Sequence, residues 1–455
     1  MAATGRLLYH NFRLLHRISR WIRHRFTAAG LLILSCIIAA GIFGIDTRAS
    51  LAYQIFSISF SLLLVSFLFS LLFRANIKCI RKLPEYGTVF LPLKYRVTIE
   101  NFENKPHLDL LYTDILESKF PSFEDFKNNH DPVDKKRNWF DRKIGYPKLM
   151  SMLQRNRGAS ISWSAVDEIP AKDEKEFIIE ITPTRRGYLR FTQSRVARPD
   201  PFGLFLSFKS QKYPEKLLIL PKTYQVPHIN LMGHRKYQQG GLNQASLVGD
   251  SQEFMSLRDY QPGDPLRSIH WRSYAKRGEP IVKEFKDEFF VRNGLVLDTF
   301  IEDHTSNQFE EAVSLAASFS LSIDDQDSLL DLLFISNEAH HFTTGRSVGQ
   351  SSNLLEILAC VNPSTDPNFH NLSKLVEKNL SEFSGLILIF LGWDEKRQNM
   401  VKRFINMNIP VIVFVINEIQ TNLDPGPLSD NPQRFIPLVT DEIQDTLDTI
   451  NWARI

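Results

Sequence analysis

Two apolar runs near the start of the chain form its strongest pattern. Residues 28–45 and 51–73 hold no charged side chain, and five residues separate the runs. As helices they would extend about 27 and 35 Å, which suits a bilayer core of roughly 30 Å. We therefore predict a hairpin of two transmembrane helices over 28–73. A signal peptide is the alternative for the first run, but the second run follows at once and no small-residue cleavage site separates the two.

The charges that flank these runs predict their orientation. Six arginines precede the first run, four basic residues follow the second within ten positions, and the connector holds only Arg48. Positive flanks stay in the cytoplasm, so we expect a multi-pass membrane protein with both termini and all soluble domains on that side. Within the basic segment 1–27, apolar residues recur at helical spacing. This fits either an amphipathic helix on anionic headgroups or a plain basic flank.

Short segments rich in β-branched and aromatic residues follow the membrane hairpin. Their alternation, as at Phe177, Ile179 and Ile181, is typical of strands with one buried face. We predict a small antiparallel β-sandwich over 83–222. The stretch 118–160 interrupts this pattern without any sustained period, and we interpret it as a surface insertion.

The pattern changes again in the C-terminal part, where apolar runs such as GLVL, GLILIF and VIVFVI alternate with amphipathic helical segments. Such runs are typical of parallel strands that are buried on both faces. We predict a doubly wound α/β domain over 291–455, joined to the sandwich by 223–290. Ligands bind such sheets at the carboxyl ends of the strands, which here directs attention to 298–302 and 393–394.

Composition removes several classes of function. The net charge of +3 becomes about −3 when the six N-terminal arginines are set aside, so the body of the protein lacks the basic surface that nucleic acid requires. The three cysteines are far apart and have no histidine at ligand spacing, which predicts neither disulfides nor a zinc site. The chain has no G-x-x-x-x-G-K-[ST] phosphate loop. We expect no cofactor and no small-molecule substrate.

The densest motif is the stretch 256–285, SLRDYQPGDPLRSIHWRSYAKRGEPIVKEF. Pro262 and Gly263 fit the centre of a type II turn, and Asp264 fits an N-cap. A helix is predicted from Pro265 to about Lys276, closed by a glycine at 278. The side chains expected to face a core are Leu266, Ile269 and Tyr274, and those expected to point away from it are Arg272 and Arg277.

Three roles suit this stretch. Its basic and acidic residues are nearly balanced, which fits a structural charge network or a surface for a partner protein. A catalytic role would make His270 a base that Asp264 or Asp259 orients. That role has no obvious nucleophile or oxyanion-binding element in the stretch, so the pattern favours the other two.

The same stretch resembles the signature of the bacterial family called domain of unknown function 58. The matching residues are Glu253, Phe254, Leu257, Arg258, Tyr260, Gly263, Asp264, Arg267, Ile269, Trp271, Ala275, Lys276 and Phe285. Upstream, RRGYLRF and then RPDPFGLF at 198–205 are similar to the family's arginine–glycine strand and its Asp-Pro-Phe-Gly turn. Members typically begin with two membrane helices, so the resemblance extends over nearly the whole chain. His270 departs from the family, because many members have an acid there.

The resemblance implies a C-terminal domain that looks like the von Willebrand factor type A fold. Members of that fold that hold a divalent cation use a D-x-S-x-S motif after the first strand, where hard oxygen ligands meet. The corresponding residues here are Asp298, Phe300 and Glu302. A phenyl ring cannot bind magnesium, so we expect a degenerate site without metal.

The resemblance also implies a partner. Family members are associated with AAA+ ATPases of the MoxR type, and are thought to assist the assembly or maturation of membrane and envelope complexes. We therefore expect a non-enzymatic adaptor or scaffold in the bacterial cytoplasmic membrane, with such an ATPase facing Arg272 and Arg277 and with membrane lipids around the helices. A cation-dependent protein-binding module and an undetected hydrolase are the alternatives.

Overall fold

The protein is a mixed α/β structure with several sheets, as the sequence predicts. The computed structural model describes residues 2–43, 50–128, 138–139, 141, 145–226, 254–285, 291–301, 307–322, 328–336, 338–344, 348–364 and 368–452. The chain divides into two compact units, Met1–Lys222 and Thr223–Ile455.

Three helices begin the first unit: α1 (Ala2–Arg25), α2 (Ala28–Phe43) and α3 (Ser50–Leu71). Among the helices that the structure describes, only α3 is both long and apolar enough to cross a membrane, over Leu51–Leu71. Helix α2 is equally apolar in character but has 16 residues, about 24 Å of helix, which is shorter than a bilayer core of about 30 Å. One candidate span therefore stands where the sequence predicts two.

The insertion 118–160 contains helices, which its sequence pattern did not predict. Helices α4 (Phe123–Asn128) and α5 (Tyr146–Arg157) lie within it. Leu149 of α5 is completely buried, and it packs with Tyr9 and Phe12 of α1 in one apolar cluster. Both helices are short and α5 buries only three side chains, so the apolar positions are too few to show a helical period. The insertion is thus a cover for one face of α1.

Two sheets make up the rest of the first unit. Their strands are β1 (Ile77–Lys82), β2 (Tyr86–Thr88), β3 (Leu93–Asn101), β4 (Leu110–Leu116), β5 (Ala159–Ser160), β6 (Ser164–Val166), β7 (Glu174–Pro183), β8 (Gly187–Pro199) and β9 (Leu206–Leu220). The strand orders are β1-β3-β7-β5 and β2-β9-β8-β4-β6, and all described pairs are antiparallel except β2 with β9. Alternate residues of β3, including Val97 and Ile99, are fully buried in a core shared by both sheets.

A buried charge network joins these two sheets. Arg81 on β1 donates to the carboxylate of Asp114 on β4, and the side chains of both are completely buried. The phenols of Tyr95 and Tyr112 donate to the same carboxylate, the second at 2.8 Å. Arg81 also donates to Glu215 at 2.7 Å. Burial and the nearby Asp114 raise the pKa of both tyrosines, so the phenols stay protonated as donors.

The second unit is built on one sheet in the order β14-β13-β12-β15-β16-β17. Its strands are β12 (Val291–Leu297), β13 (Ser328–Ile335), β14 (Ala339–Thr344), β15 (Gly385–Phe390), β16 (Val411–Asn417) and β17 (Phe435–Val439). Every neighbouring pair is parallel except β13 with the edge strand β14. Separate apolar clusters cover the two faces, and β15 is buried at every position, as its continuous apolar run predicts.

Helices of the second unit cover this sheet: α7 (Asn307–Ser322), α8 (Val348–Cys360), α9 (His370–Asn379), α10 (Glu395–Asn406) and α11 (Ile443–Thr449). From β12 the chain passes to β13 on one side, and it later returns to β15 on the other side. The boundary between β12 and β15 is therefore the switch point at which ligands bind in open sheets.

The family-like stretch precedes β12 in the sequence. It forms a two-stranded antiparallel ribbon of β10 (Phe254–Asp259) and β11 (Ile281–Phe285). Helix α6 (Trp271–Arg277) lies between the two strands in the chain.

We expect Asp114→Ala to lower the free energy of unfolding by about 3 to 5 kcal/mol. Arg81 would lose its buried counter-ion and keep only the partly exposed Glu215, and the phenols of Tyr95 and Tyr112 would lose their acceptor. Thermal and urea unfolding of the full-length protein in detergent measures this. Glu180→Ala is the matched control, since its pair with Lys94 is exposed and should contribute about 0 to 1 kcal/mol. Equal effects of the two changes would contradict the inter-sheet role of Asp114.

Candidate functional site

The turn of the ribbon is held by one carboxylate. Asp264 accepts two hydrogen bonds from the Arg258 guanidinium, at 2.7 and 2.8 Å, and one from the backbone N–H of Gln261 at 2.8 Å. Gly263 has a φ of 113°, which a residue with a Cβ adopts only under strain, as the turn prediction requires. The Arg258 guanidinium, and then the Gln261 N–H, lower the pKa of Asp264 to about 2.

The predicted continuous helix from Pro265 to Lys276 is wrong. Residues Leu266–Ser268 form a single 3-10 turn, Ile269 returns to extended backbone, and α6 begins only at Trp271. Ile269 forms an isolated bridge with Val282 on β11 and is buried. Pairing with the ribbon therefore outweighs the helical propensity of the sequence. The predicted C-terminal end of the helix is confirmed, because Gly278 has a φ of 75° and its N–H donates to the Tyr274 carbonyl.

Asp264 is not the N-cap that the sequence suggests. The residue before the 3-10 turn is Pro265 and the residue before α6 is His270, and neither provides a side-chain cap. The carboxylate instead joins the start of the turn to Arg258 on β10. An ion pair across the turn has replaced a local cap.

The ribbon and α6 expose large apolar side chains. Leu266 and Trp271 are 67% and 61% exposed, and Leu257 and Tyr274 are also exposed. The expectation that Leu266 and Tyr274 face a core is therefore wrong, whereas Ile269 does so. Trp271 and Tyr274 contact each other edge to face, with ring centroids 6.0 Å apart. No described residue of α6 is buried, and all of its residues except Ser273 are exposed.

The remaining signature residues have mixed positions. Glu253 lies outside the described residues, and Phe254 and Phe285 are register partners at the open end of the ribbon. The Tyr260 N–H donates to the Pro280 carbonyl at 3.0 Å. The exposed members are Arg267, Ala275 and Lys276. The two predicted partner-facing residues, Arg272 and Arg277, are exposed as well.

The described residues do not pair His270 with the carboxylate that the catalytic interpretation assigns to it. The Nδ1 atom of His270 lies 2.6 Å from the hydroxyl of Ser273, one turn along the chain. Asp264, the proposed orienter, has both oxygens engaged by Arg258 and Gln261. The contact of His270 is thus a local one at the start of α6.

A second candidate site lies at the switch point of the large sheet. Asp298 follows β12 and is completely buried. Its Oδ1 accepts from the Phe300 N–H at 2.9 Å, and its Oδ2 accepts from the Leu391 N–H at 3.1 Å. Arg397 on α10 places its guanidinium against the same Oδ2, with Nε at 2.7 Å. A fixed side-chain cation therefore occupies the position beside this carboxylate.

Neighbouring groups hold the Arg397 guanidinium in place. It donates to the Phe300 carbonyl at 3.3 Å, pairs with Asp394 at 3.1 Å and lies 4.9 Å from the centroid of the Phe369 ring. Burial alone lowers the pKa of Arg397, but the two carboxylates outweigh it and the pKa is raised. Burial raises the pKa of Asp298, and the guanidinium opposes that rise. The pair is a buried ion pair that closes the site.

Of the three residues of the predicted degenerate metal site, the structure describes Asp298 and Phe300. Phe300 packs edge-on against Phe369, with ring centroids 5.5 Å apart. Glu302 lies outside the described residues. Within the described part of the chain, no three His, Cys, Asp or Glu side chains come together in a way that could hold a metal ion. Sequence reasoning missed Arg397, although its position three residues after the cap Asp394 directs it back towards the strand ends.

The second family-like feature connects the sandwich to the apolar helices. Asp200 is buried, and its carboxylate accepts hydrogen bonds from the backbone N–H groups of Phe202, Leu204 and Phe205 at 3.1, 2.6 and 2.6 Å. These three bonds fold the Asp-Pro-Phe-Gly segment into a closed turn, defined here as the Asp200 turn.

Both apolar helices meet the Asp200 turn. The Thr27 N–H donates to the Leu204 carbonyl at 3.0 Å just before α2 begins. At Gly30 an added Cβ would lie 2.1 Å from that carbonyl oxygen, so only glycine fits. Phe69, near the end of α3, contacts Phe202 with ring centroids 6.4 Å apart. The Asp200 turn therefore contacts the start of α2 and the end of α3, and we call this region the root of the predicted membrane hairpin.

Comparison with known proteins agrees with the family resemblance of the ribbon. Residues 256–383 match the family model described as Protein of unknown function DUF58. The chain is 28% identical over 165 residues to "Uncharacterized protein YeaD" of Bacillus subtilis, covering 36% of this chain and 40% of that protein. The match thus spans less than half of the relative's length. The family-model match places residues 256–383 in the DUF58 family.

Two solved structures also show local likeness. A superoxide reductase (neelaredoxin) from Ignicoccus hospitalis is 7% identical and matches 31% of this chain and 79% of its own, with a TM-score of 0.14. The sporulation control protein Spo0M from Bacillus subtilis is 9% identical and matches 32% of this chain and 50% of its own, also with a TM-score of 0.14. Scores this low support no conclusion about fold or function.

We expect Asp264→Asn to loosen the ribbon, because the amide cannot pair with the Arg258 guanidinium. The full-length variant should melt at a lower temperature and be cut faster by trypsin within 254–285 at pH 7. Because the pKa of Asp264 is lowered from 3.8, the pair stabilises the fold fully above pH about 4, and this contribution is lost as the pH falls towards 2. Asp259→Asn, at an exposed position of the same ribbon, is the control and should behave like the unmodified protein.

We expect no saturable binding of Mg²⁺ or Mn²⁺ at micromolar metal, because Arg397 holds the Asp298 carboxylate and Phe300 supplies no ligand. Titration calorimetry on the full-length protein in detergent is the measurement. Binding that Asp298→Ala abolishes would show that a metal displaces the guanidinium, and would overturn this interpretation of the site.

Proposed function

We propose that this protein is a membrane-anchored, non-enzymatic adaptor or scaffold that presents the ribbon and α6 to a partner protein in the cytoplasm. The observation that carries the proposal is the exposure of Leu266, Trp271 and Tyr274 on a segment whose backbone is held rigidly by the Arg258–Asp264 pair. Exposed aromatic side chains beside arginines are the composition of protein-interface centres. A rigid carrier lowers the entropic cost of binding.

The partner in this proposal is an AAA+ ATPase of the MoxR type, and the process is assembly or maturation of membrane or envelope complexes. Support for the partner comes from the family resemblance, and the absence of a phosphate loop in the sequence means that nucleotide chemistry is the partner's task. Arg272 and Arg277 on α6 supply positive charge for the contact.

The proposal places the chain in the bacterial cytoplasmic membrane through two helices, with both termini inside. The single described helix that meets the length and apolarity of a span supports membrane anchorage, and the flanking arginines support the orientation. We further propose that the second unit resembles the von Willebrand factor type A fold, in keeping with its parallel strands and covered faces. The cation-dependent alternative is less well supported, because Arg397 already neutralises Asp298.

We expect the double change Arg272→Glu with Arg277→Glu to abolish capture of an AAA+ ATPase, because like charges would then face the partner's acidic groups. The full-length protein is crosslinked in membranes and purified, and the proteins that accompany it are identified by mass spectrometry. Melting should change little, since exposed charges contribute about 0 to 1 kcal/mol.

The matched control is Lys374→Glu with Lys378→Glu, two exposed lysines on α9, and it should retain the partner. If the unmodified protein captures no AAA+ ATPase, the proposed partner is wrong. If the α6 variant is folded and still captures the ATPase, the contact lies elsewhere on the molecule.

A further inference from the structure

Five arginines from three separate segments converge in the first unit. Arg20, Arg23 and Arg25 lie in the last turns of α1, Arg157 ends α5, and Arg195 lies in β8. We call them the arginine cluster. Their charges interact directly, since Arg20 and Arg23 act on Arg157, and Arg20 and Arg25 act on Arg195. Tertiary folding therefore brings together positive charges that are far apart in the sequence.

One aromatic ring organises part of this cluster. The guanidinium carbons of Arg25 and Arg195 lie 4.3 and 4.2 Å from the centroid of the Phe208 ring on β9. Each contact is a cation–π interaction, which holds a guanidinium without neutralising it. The two charges are thereby fixed near each other and remain available to an anion.

Among the described residues, the other partners of the cluster are uncharged. Arg23 donates to the Ser19 hydroxyl at 2.8 Å, and Arg195 donates to the Ser210 hydroxyl at 3.0 Å. The Nε atom of Arg25 is buried and has no acceptor in the described part of the chain. The first 25 residues also contain no acidic residue. Arg81 on β1, by contrast, binds the carboxylate of Asp114.

Crowding of like charges has a measurable electrostatic consequence. Burial and then the surrounding arginines lower the pKa of His24 to about 4, so this side chain is neutral at pH 7. The same two causes lower the pKa values of Arg157 and Arg195. Repulsion of this kind opposes folding unless an anion binds.

The cluster lies at the root of the apolar helices. Two residues after Arg25, Thr27 is bonded to the Asp200 turn, where α2 begins and against which the end of α3 packs. Helix α1 also exposes Leu14, Ile18 and Trp21 at helical spacing on the side not covered by the insertion. Exposed apolar residues with flanking arginines are typical of helices that lie at the headgroup level of a bilayer.

We propose that the arginine cluster binds the phosphate group of an anionic phospholipid in the leaflet that surrounds the root of α2 and α3. The inference rests on the membrane anchorage in the proposed function, and it assigns a ligand to a part of the molecule that the adaptor role does not use. Phosphate oxygens match the fork of donors on guanidinium groups. The continuity of the cluster with the apolar helices favours a lipid over a soluble anion.

The test uses full-length protein in a zwitterionic detergent with added lipid. Phosphatidylglycerol should raise the melting temperature, and phosphatidylcholine at the same concentration should raise it less. In native mass spectrometry the protein should retain phosphatidylglycerol preferentially. Arg157→Gln with Arg195→Gln should weaken that retention by on the order of 10-fold or more, since each arginine at an anionic surface contributes substantially to binding.

A merely structural cluster gives a different result. Arg157 and Arg195 are each repelled by arginines of α1. Removing their charges should therefore leave the melting temperature without lipid unchanged or higher, whereas loss of structural contacts would lower it. The control Arg190→Gln with Lys216→Gln changes two exposed cations on β8 and β9 and should keep the response to phosphatidylglycerol. Equal responses to the two lipids, or a full response in the Arg157/Arg195 variant, would overturn the inference.

Two further outcomes separate the possible causes of failure. If inorganic phosphate at millimolar concentration alone reproduces the stabilisation, the site takes a free anion and the lipid assignment is wrong. If cell fractionation finds the protein outside the membrane, the proposed anchorage itself is wrong. If the protein is in the membrane but shows no lipid preference, only the arginine cluster has been misassigned.

Discussion

Carboxylates withdrawn from water impose the main constraint on this structure, because an unpaired buried charge costs several kcal/mol. An arginine from a different element meets each of the most important ones. The buried pairs are Arg81–Asp114 between the two sheets of the sandwich, Arg292–Asp331 within the large sheet and Arg397–Asp298 at its switch point. The more exposed Arg258–Asp264 pair holds the turn of the ribbon. Each of these ion pairs joins two different elements of the fold.

The pair at the switch point has the clearest functional meaning. Open sheets of this kind bind ligands at the carboxyl ends of two neighbouring strands whose connections leave to opposite sides, here β12 and β15. At that point the Arg397 guanidinium lies beside the Asp298 carboxylate. The site is thus closed from within by a residue of the chain itself. The adaptor proposal therefore rests on the exposed apolar side chains of the ribbon and α6.

The arginine cluster differs from these ion pairs, because its guanidinium groups contact no carboxylate among the described residues. There guanidinium groups meet a phenyl ring and serine hydroxyls in place of carboxylates. The arginine cluster lies beside the Asp200 turn. The two family-like features, the Asp200 turn and the ribbon, therefore have different proposed roles. The turn joins the apolar helices to the sandwich, and the proposed partner surface lies on the ribbon and α6.

Local chemistry determined much of this architecture in advance. The apolar run that forms α3, the buried strands of the large sheet, the strained glycine at 263 and the helix end at Gly278 follow from side-chain pattern and backbone sterics. Three features depended on distant partners. Ile269 left the predicted helix to pair with Val282, Asp264 bound Arg258 in place of a cap, and Arg397 reached Asp298 across 99 positions. Periodicity reports only neighbours along the chain, whereas the energy of a buried charge depends on which groups surround it, and only the tertiary structure selects those groups.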